Sequence, residues 1–357
     1  MKEKIKVLIV YNRIWSYRIK IFELLNEKYD LTVSFINKKS INQKYNFKTI
    51  YLPTIKLGPV SFHKNNLLKI SKQYDVIIGL SDIRWLTIML LGFIRKRKYK
   101  LIYWGIGVRA SYDHKFDEKT YIDNIRYFLT KRADALIFYS SYPLKKYVNA
   151  GFLKEKLFVA NNTVNAPFSK DKDFNREYLL FIGTLYAEKG IKELLLAYKQ
   201  LIDEGNEILP LKIVGGGEKS ESIKKWVEDN NLKEKIILTG PIYNSEKLEK
   251  IFRSSVACIS PNQAGLSVLS SMAYGCIFIT NKEAITGGEI FNIKNMENGI
   301  LYEGGIEELK SKILLIHNDS TVVNLLSKNA FNHYRNHRSP QMMANEISNA
   351  IEYSLNN

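Results

Sequence analysis

The sequence predicts an α/β protein built from two facing, doubly wound Rossmann-like domains. Three observations predict this. Short apolar runs alternate with longer amphipathic segments from end to end. The runs are apolar at successive positions, the pattern of parallel strands covered on both faces, rather than at every second position. The same rhythm restarts after the polar stretch Ser169–Arg176, and 357 residues is about twice a domain of roughly 150.

Taken in order, Val7–Val10, Leu31–Phe35, Val76–Ile78, Leu101–Tyr103 and Ala135–Phe138 read as buried strands of the first domain. Helical spacing lies between them at Trp15–Lys28, Asn66–Lys72 and Tyr121–Lys131. The second domain repeats the pattern with strands at Tyr178–Ile182, Leu211–Val214, Ile236–Leu238, Ala257–Ile259 and Ile277–Thr280. Expected boundaries are 1–166 for the first domain and 177–340 for the second. A helix in 341–357, apolar at helical spacing over Met342–Leu355, is expected to pack back on the first domain.

The net charge of +17 is unevenly placed. Residues 1–165 hold 31 Lys+Arg against 12 Asp+Glu, and the remainder is slightly acidic. A basic first half suits an anionic partner: a phosphate-bearing substrate, an anionic membrane leaflet or nucleic acid. No nucleic-acid motif is present, which argues against the last. The apolar run Trp85–Ile94 is half the roughly 20 residues that cross a bilayer, and Arg95–Lys100 follows at once. Two readings stand side by side: an element resting on an anionic surface, or a buried helix whose basic end suits its dipole. Cys258 and Cys276 lie in apolar segments without ligand spacing, as core residues of a reducing compartment do. MKEKIKVLIVYNRIW lacks the long apolar core of a secretory signal. The expected location is cytoplasmic, peripheral on the inner face of the plasma membrane.

Ligands of open parallel sheets bind beyond the carboxyl ends of the strands. Three second-domain loops meet that condition. Gly183-Thr184-Leu185-Tyr186-Ala187-Glu188-Lys189-Gly190 presents a lysine beside a helix start, a clamp for phosphate oxygens. Gly215, Gly216 and Gly217 follow a strand and allow close backbone approach. In SPNQAGLSVLSSMAYG, Gly265, Leu266 and Ser267 offer backbone N–H groups at a helix start, which suits a pyrophosphate. In the first domain, Asn12, Arg13, Tyr17 and Arg18 follow the first strand, where an acceptor would enter. Arg109 is a further cation on that side. His63 and His114 fall in loops, and His317, His333 and His337 form no metal spacing.

The strings LLFIGTLYAEKGIKELLLAY, LKIVGGGE, ILTGPI and VACISPNQAGLSVLSSMAYGCIFIT occur in this order over residues 178–315. Together they resemble the C-terminal domain of family 4 retaining glycosyltransferases; YNRIWSYRIKIFELL, YWGIG and VANNTV resemble the first domain more faintly. The resemblance implies a GT-B fold, a UDP- or GDP-sugar donor held by the second domain, and an acceptor met by the first. It implies metal-independent transfer with retained configuration. Lys189 matches the family lysine on the donor pyrophosphate, Ile242 a backbone contact to the base, and Gly265, Leu266 and Ser267 the amides around the phosphates. Glu289 matches a further family glutamate. The sequence departs from the pattern where the two glutamates of E-x7-E become Asn262, facing the donor sugar, and Ser270, facing the ribose. The arginine beside the first glycine is Thr184, and a first-domain histidine is lost near Ile106. Arg13, Arg18 and Arg109 are expected to compensate.

The function expected is transfer of a sugar to a lipid-linked or polysaccharide acceptor in cell-surface polysaccharide synthesis. The alternatives are a nucleotide-sugar epimerase or hydrolase, or a non-catalytic GT-B scaffold that partners other glycosyltransferases.

Overall fold

In strand β1 (Lys6–Val10) Val7 and Ile9 enter one core while Leu8 and Val10 enter another. That is why the sequence shows no polar alternation there: helices cover both faces of the sheet. The structure is a computed structural model describing residues 3–37, 44–110, 116–118, 121–166 and 175–357. It divides into two compact units. The first comprises Met1–Ala110, Asp117–Asn165 and Ser339–Asn357, the second Ser111–Phe116 and Ala166–Arg338. Most of the polar linker at 167–176, and His114, lie outside the described residues.

The first unit adds β2 (Asp30–Phe35), β3 (Lys48–Tyr51), a hairpin of β4 (Thr54–Leu57) and β5 (Val60–His63), β6 (Val76–Leu80), β7 (Lys100–Gly105), β8 (Ala135–Phe138) and β9 (Leu157–Val159). Its seven-stranded parallel sheet runs β3-β2-β1-β6-β7-β8-β9, so the strand order reverses between β1 and β6. Helices α1 (Ser16–Lys28), α2 (Leu67–Ser71), α3 (Leu86–Leu90), α4 (Ile122–Thr130) and α5 (Leu144–Asn149) connect the strands.

The second unit's strands are β10 (Tyr178–Ile182), β11 (Leu211–Val214), β12 (Ile236–Gly240), β13 (Ser255–Ile259), β14 (Gln263–Ala264), β15 (Ile277–Asn281), β16 (Ile285–Thr286) and β17 (Ile300–Tyr302). The six-stranded parallel sheet runs β12-β11-β10-β13-β15-β17 and reverses between β10 and β13. Helices α6 (Ile191–Asp203), α7 (Ser220–Asp229), α8 (Ser245–Arg253), α9 (Leu266–Ala273), α10 (Ile306–Asn318) and α11 (Ser320–His337) surround it.

Helix α12 (Pro340–Asn356) then packs beside α1 in the first unit, where Met343, Ala344, Ile347, Ala350 and Ile351 join the core. Ser339 caps it, accepting from the Met342 N–H, and Pro340 at the first helical position costs no donor.

Two expectations change. The basic run after Trp85–Ile94 is not the end of a helix. Helix α3 stops at Leu90, a single 3₁₀ turn follows, and the backbone is extended at Ile94 before Arg95. Ile88, Met89 and Leu91 are buried in the sheet's helix layer while Leu90 is 47% exposed, so this stretch is divided between core and surface. His63 is not an open loop histidine: it ends β5, is 7% exposed, and its Nδ1 lies 2.6 Å from the Thr87 hydroxyl.

Candidate functional site

The two loops that follow β10 and β13 flank the point where the second sheet reverses, the position at which such sheets take ligands. After β10 the chain turns at Gly183, makes a 3₁₀ turn over Ala187–Lys189, and passes through left-handed Gly190 (φ 75°) into α6. A Cβ on Gly183 would lie 2.2 Å from the Lys189 ammonium, so glycine there makes room for the charge. Among the described residues no carboxylate pairs with Lys189 Nζ, which lies 5.8 Å from the centre of the Tyr186 ring. Burial pulls its pKa below the ordinary lysine value. Thr184 is exposed on the same loop.

Gly215 and Gly217 serve the protein rather than an open surface. A Cβ on Gly215 would sit 1.8 Å from the Gly183 carbonyl oxygen, and one on Gly217 2.6 Å from that of Leu185. The loops are stitched by Gly183 N–H to Val214 O, Leu185 N–H to Gly216 O and Gly215 N–H to Gly240 O. Gly216 meets only the Pro241 ring, at 3.4 Å. Ile242 follows, half-buried, beside the 90% exposed ring of Tyr243.

The loop after β13 lies against the lysine loop. The Asn262 N–H donates to Lys189 O at 3.4 Å, and a Cβ on Gly190 would touch Pro261 and the Asn262 amide at 2.8–2.9 Å. The Tyr186 hydroxyl donates to Gln263 Oε1 at 2.9 Å. Helix α9 then begins at Gly265 with no side chain over its first amides, those of Leu266 and Ser267. Ser270 is half-buried one turn along. The bridge between β14 and β16 fixes this loop from the other side. Thr286 Oγ1 donates to Ala264 O and accepts from the Gly288 and Ile290 N–H groups, while Glu289, buried, accepts from the Gly287 N–H.

A recess of about 450 Å³ opens beside Asn262, bordered by Asn281, Lys282, Glu283, Glu303 and Gly304. Lys282 is paired with Glu303, so carboxylates stand near Asn262 even though that position itself is neutral. Tyr186, Gln263, Thr286 and the 281–288 loop carry no sequence periodicity, and only the fold brings them to this site. Among the described residues no group of His, Cys, Asp and Glu could hold a metal.

First-unit candidates divide differently. Arg18 was expected to face an acceptor, but the structure puts it inside the unit, 2% exposed. Its guanidinium donates to Asn162 Oδ1 and Met343 Sδ and lies about 5 Å from the rings of Tyr17, Trp104 and Tyr139. The reason is α12, whose Met343 closes over it. Arg13 is exposed and stacks on Trp15 at 4.1 Å, and Trp15 stacks in turn on Tyr17. Asn12 uses its carbonyl to accept from Ile36, and Arg109 sits 3.9 Å from Glu118.

Two parallel sheets of this topology define the class: the fold is that of the GT-B glycosyltransferases. Residues 164–333 match the family model described as glycosyl transferases group 1. The uncharacterized glycosyltransferase MJ1069 of Methanocaldococcus jannaschii is 26% identical over 321 residues, 82% of this chain and 78% of that protein. Among solved structures, Anabaena HepE in complex with UDP superimposes with a TM-score of 0.73 at 14% identity, over 98% of this chain and 100% of its own. A glycosyltransferase from Rickettsia africae ESF-5 gives 0.74 at 15% identity, over 99% of each chain. These matches support a glycosyltransferase.

Proposed function

We propose that this chain is a retaining, metal-independent glycosyltransferase of the family 4 type. It would move a sugar from a UDP- or GDP-sugar, held by the second unit, to a lipid-linked or polysaccharide acceptor in cell-surface polysaccharide synthesis. The observation that carries the reading is Lys189: a half-buried ammonium with no carboxylate partner among the described residues, beside the open amides of α9, at the reversal point of the sheet. An anion with several oxygens satisfies both groups at once, and HepE holds UDP on the same fold.

In this reading the bond between the anomeric carbon and the diphosphate oxygen breaks while the acceptor oxygen bonds to that carbon. The acceptor proton passes to the departing phosphate. Lys189 and the amides of Gly265, Leu266 and Ser267 stabilise the charge that develops on the diphosphate, which is electrostatic work needing no enzymic base. Asn262 and Ser270 contribute neutral hydrogen bonds to sugar and ribose. The basic first unit meets an acceptor that carries phosphate.

The neutral side chains at 262 and 270, with Thr184 and Ile106, favour the non-catalytic scaffold as second reading. Titration calorimetry with UDP and GDP, followed by NMR of the anomeric proton of the product, tests the proposal. Binding of one nucleotide, release of that nucleotide only with acceptor present, and an unchanged anomer are expected. Binding without turnover over a panel of donors and acceptors favours the scaffold, and failure of all nucleotides to bind overturns both the transferase and its donor site.

A further inference from the structure

Helix α4 is turned inside out. Its charged pair, Asp123 and Arg126, faces inward with side chains only 15% and 10% exposed, and Thr130 is buried beside them. Tyr127 packs inward on Tyr147. Leu129 also packs on the core, but three large apolar side chains face solvent: Tyr121 is 78%, Ile125 43% and Phe128 62% exposed. These three lie at i, i+4 and i+7, one stripe along the helix. Phe128 continues the stripe onto Phe93, 5.6 Å away, and Leu90 of α3 is 47% exposed. A single exposed apolar residue is ordinary, but a contiguous stripe on a helix with buried charges marks an interaction surface.

Cations surround the stripe. Arg132 stacks over Phe93 at 4.4 Å. Arg97 fastens the basic run to the end of α4, donating to the Arg132 carbonyl and to Asp134. That leaves Arg95, Lys96 and Lys98 exposed beside it, together with Lys131. Among the described residues no carboxylate pairs with these four. An apolar ridge rimmed by unpaired cations matches one partner best: the headgroup layer of an anionic bilayer, where the ridge sinks to the acyl boundary and the rim meets lipid phosphate.

We infer that the outward face of α4, with Phe93 and the Arg95–Lys98 rim, docks this protein on an anionic membrane surface. The inference deepens the lipid-linked part of the proposed acceptor and rests on that reading for its purpose, not for its evidence. The partly buried Trp85–Ile94 stretch supplies Phe93 and Leu90 to the ridge, while α4 supplies most of it.

Co-sedimentation with phosphatidylcholine vesicles, with and without phosphatidylglycerol, tests it. Binding only to the anionic vesicles is expected, weakening as salt rises. The double variant Ile125→Ser, Phe128→Ser is expected to weaken binding roughly tenfold or more, since two apolar side chains no longer enter the bilayer. The triple variant R95Q, K96Q, K98Q is expected to weaken it on the order of a hundredfold. The charge variant leaves the packing of α4 intact, so it decides the matter if the apolar one unfolds. Equal binding by wild type and the charge variant overturns the inference, as does absence of wild-type binding. So does a wild-type dimer in sedimentation equilibrium that Phe128→Ser dissociates, because a second copy then covers the face. Nucleotide binding measured in parallel separates the two proposals: vesicle binding lost with nucleotide binding intact sinks only this one, and the reverse sinks only the donor site.

Discussion

The Tyr186 hydroxyl donates to Gln263 Oε1 across 2.9 Å, joining the loop after β10 to the loop after β13. Gln263 is only 7% exposed, and Lys189 and Asn262 flank the tie on either side, themselves linked by a longer backbone bond. The pair therefore acts as a spacer that sets the distance between the ammonium and the amides of α9.

Tyr186→Phe removes the donor and leaves a buried amide oxygen unsatisfied, which costs about 1–3 kcal/mol. If that cost falls on loop placement, the UDP or GDP dissociation constant rises several-fold while the melting temperature falls by a few degrees. Calorimetric titration beside a thermal melt checks this. An unchanged dissociation constant with the same loss of stability would assign the bond to folding alone.

Lys189 makes the opposite forecast. Among the described residues it has no carboxylate partner to lose, only the Tyr186 ring at 5.8 Å, and its charge is held against a desolvation cost. Lys189→Met should leave the melting temperature unchanged or higher. Nucleotide binding should weaken roughly 10- to 150-fold, the value of a charge-assisted contact of about 1.5–3 kcal/mol. A destabilised variant that still binds UDP normally would remove Lys189 from the donor site.

All ten strands and the four helices at Trp15–Lys28, Asn66–Lys72, Tyr121–Lys131 and 341–357 are present, the strands because burial on both faces leaves uninterrupted apolar runs. The strands that escaped the sequence are edges and short ties. Residues of β4 are mostly exposed, β9 and β17 have three residues each, and β14 and β16 two. Such elements carry too little burial to leave a pattern. Within the site, Lys189 and the Gly265 helix start were legible because charge beside glycine at a strand end is a local signal. Tyr186 with Gln263 is a contact between residues 77 apart, set by packing that no local pattern encodes. Arg18 misled for the same reason: the residue that covers it, Met343, lies 325 positions away.

Gly215 tests how far the 183–190 loop depends on its neighbour. A Cβ there would collide with the Gly183 carbonyl, which cannot yield without moving the 183–190 loop. Gly215→Ala should destabilise the second unit by about 1–3 kcal/mol, the usual penalty of overpacking, and weaken nucleotide binding with it. Gly216→Ala, with only the Pro241 ring nearby, should do neither. Equal effects from the two variants would show that the crowding at Gly215 is relieved at no cost to the site.

His63 gives a forecast about pH. Thr87 Oγ1 accepts from the His63 backbone N–H and lies 2.6 Å from Nδ1, so the hydroxyl is placed to donate to a neutral ring. Burial pushes the ring's pKa down to about 4 from an ordinary 6.5. The folded state therefore binds this proton later than the unfolded state as acid is added. The stability associated with the neutral ring is whole above pH 6.5 and declines as pH falls toward 4. His333, also pushed down to about 4 by burial and nearby cations, adds a second decline over the same window. His63→Gln keeps a side-chain acceptor for the Thr87 hydroxyl but removes the titration. Its melting temperature should fall less steeply between pH 6.5 and 4 than that of the wild type, with the remaining slope abolished in part by His333→Gln. Parallel curves for His63→Gln and wild type through this window would mean that His63 is protonated in the folded protein well above pH 4, and that its bond to Thr87 does not hold it neutral.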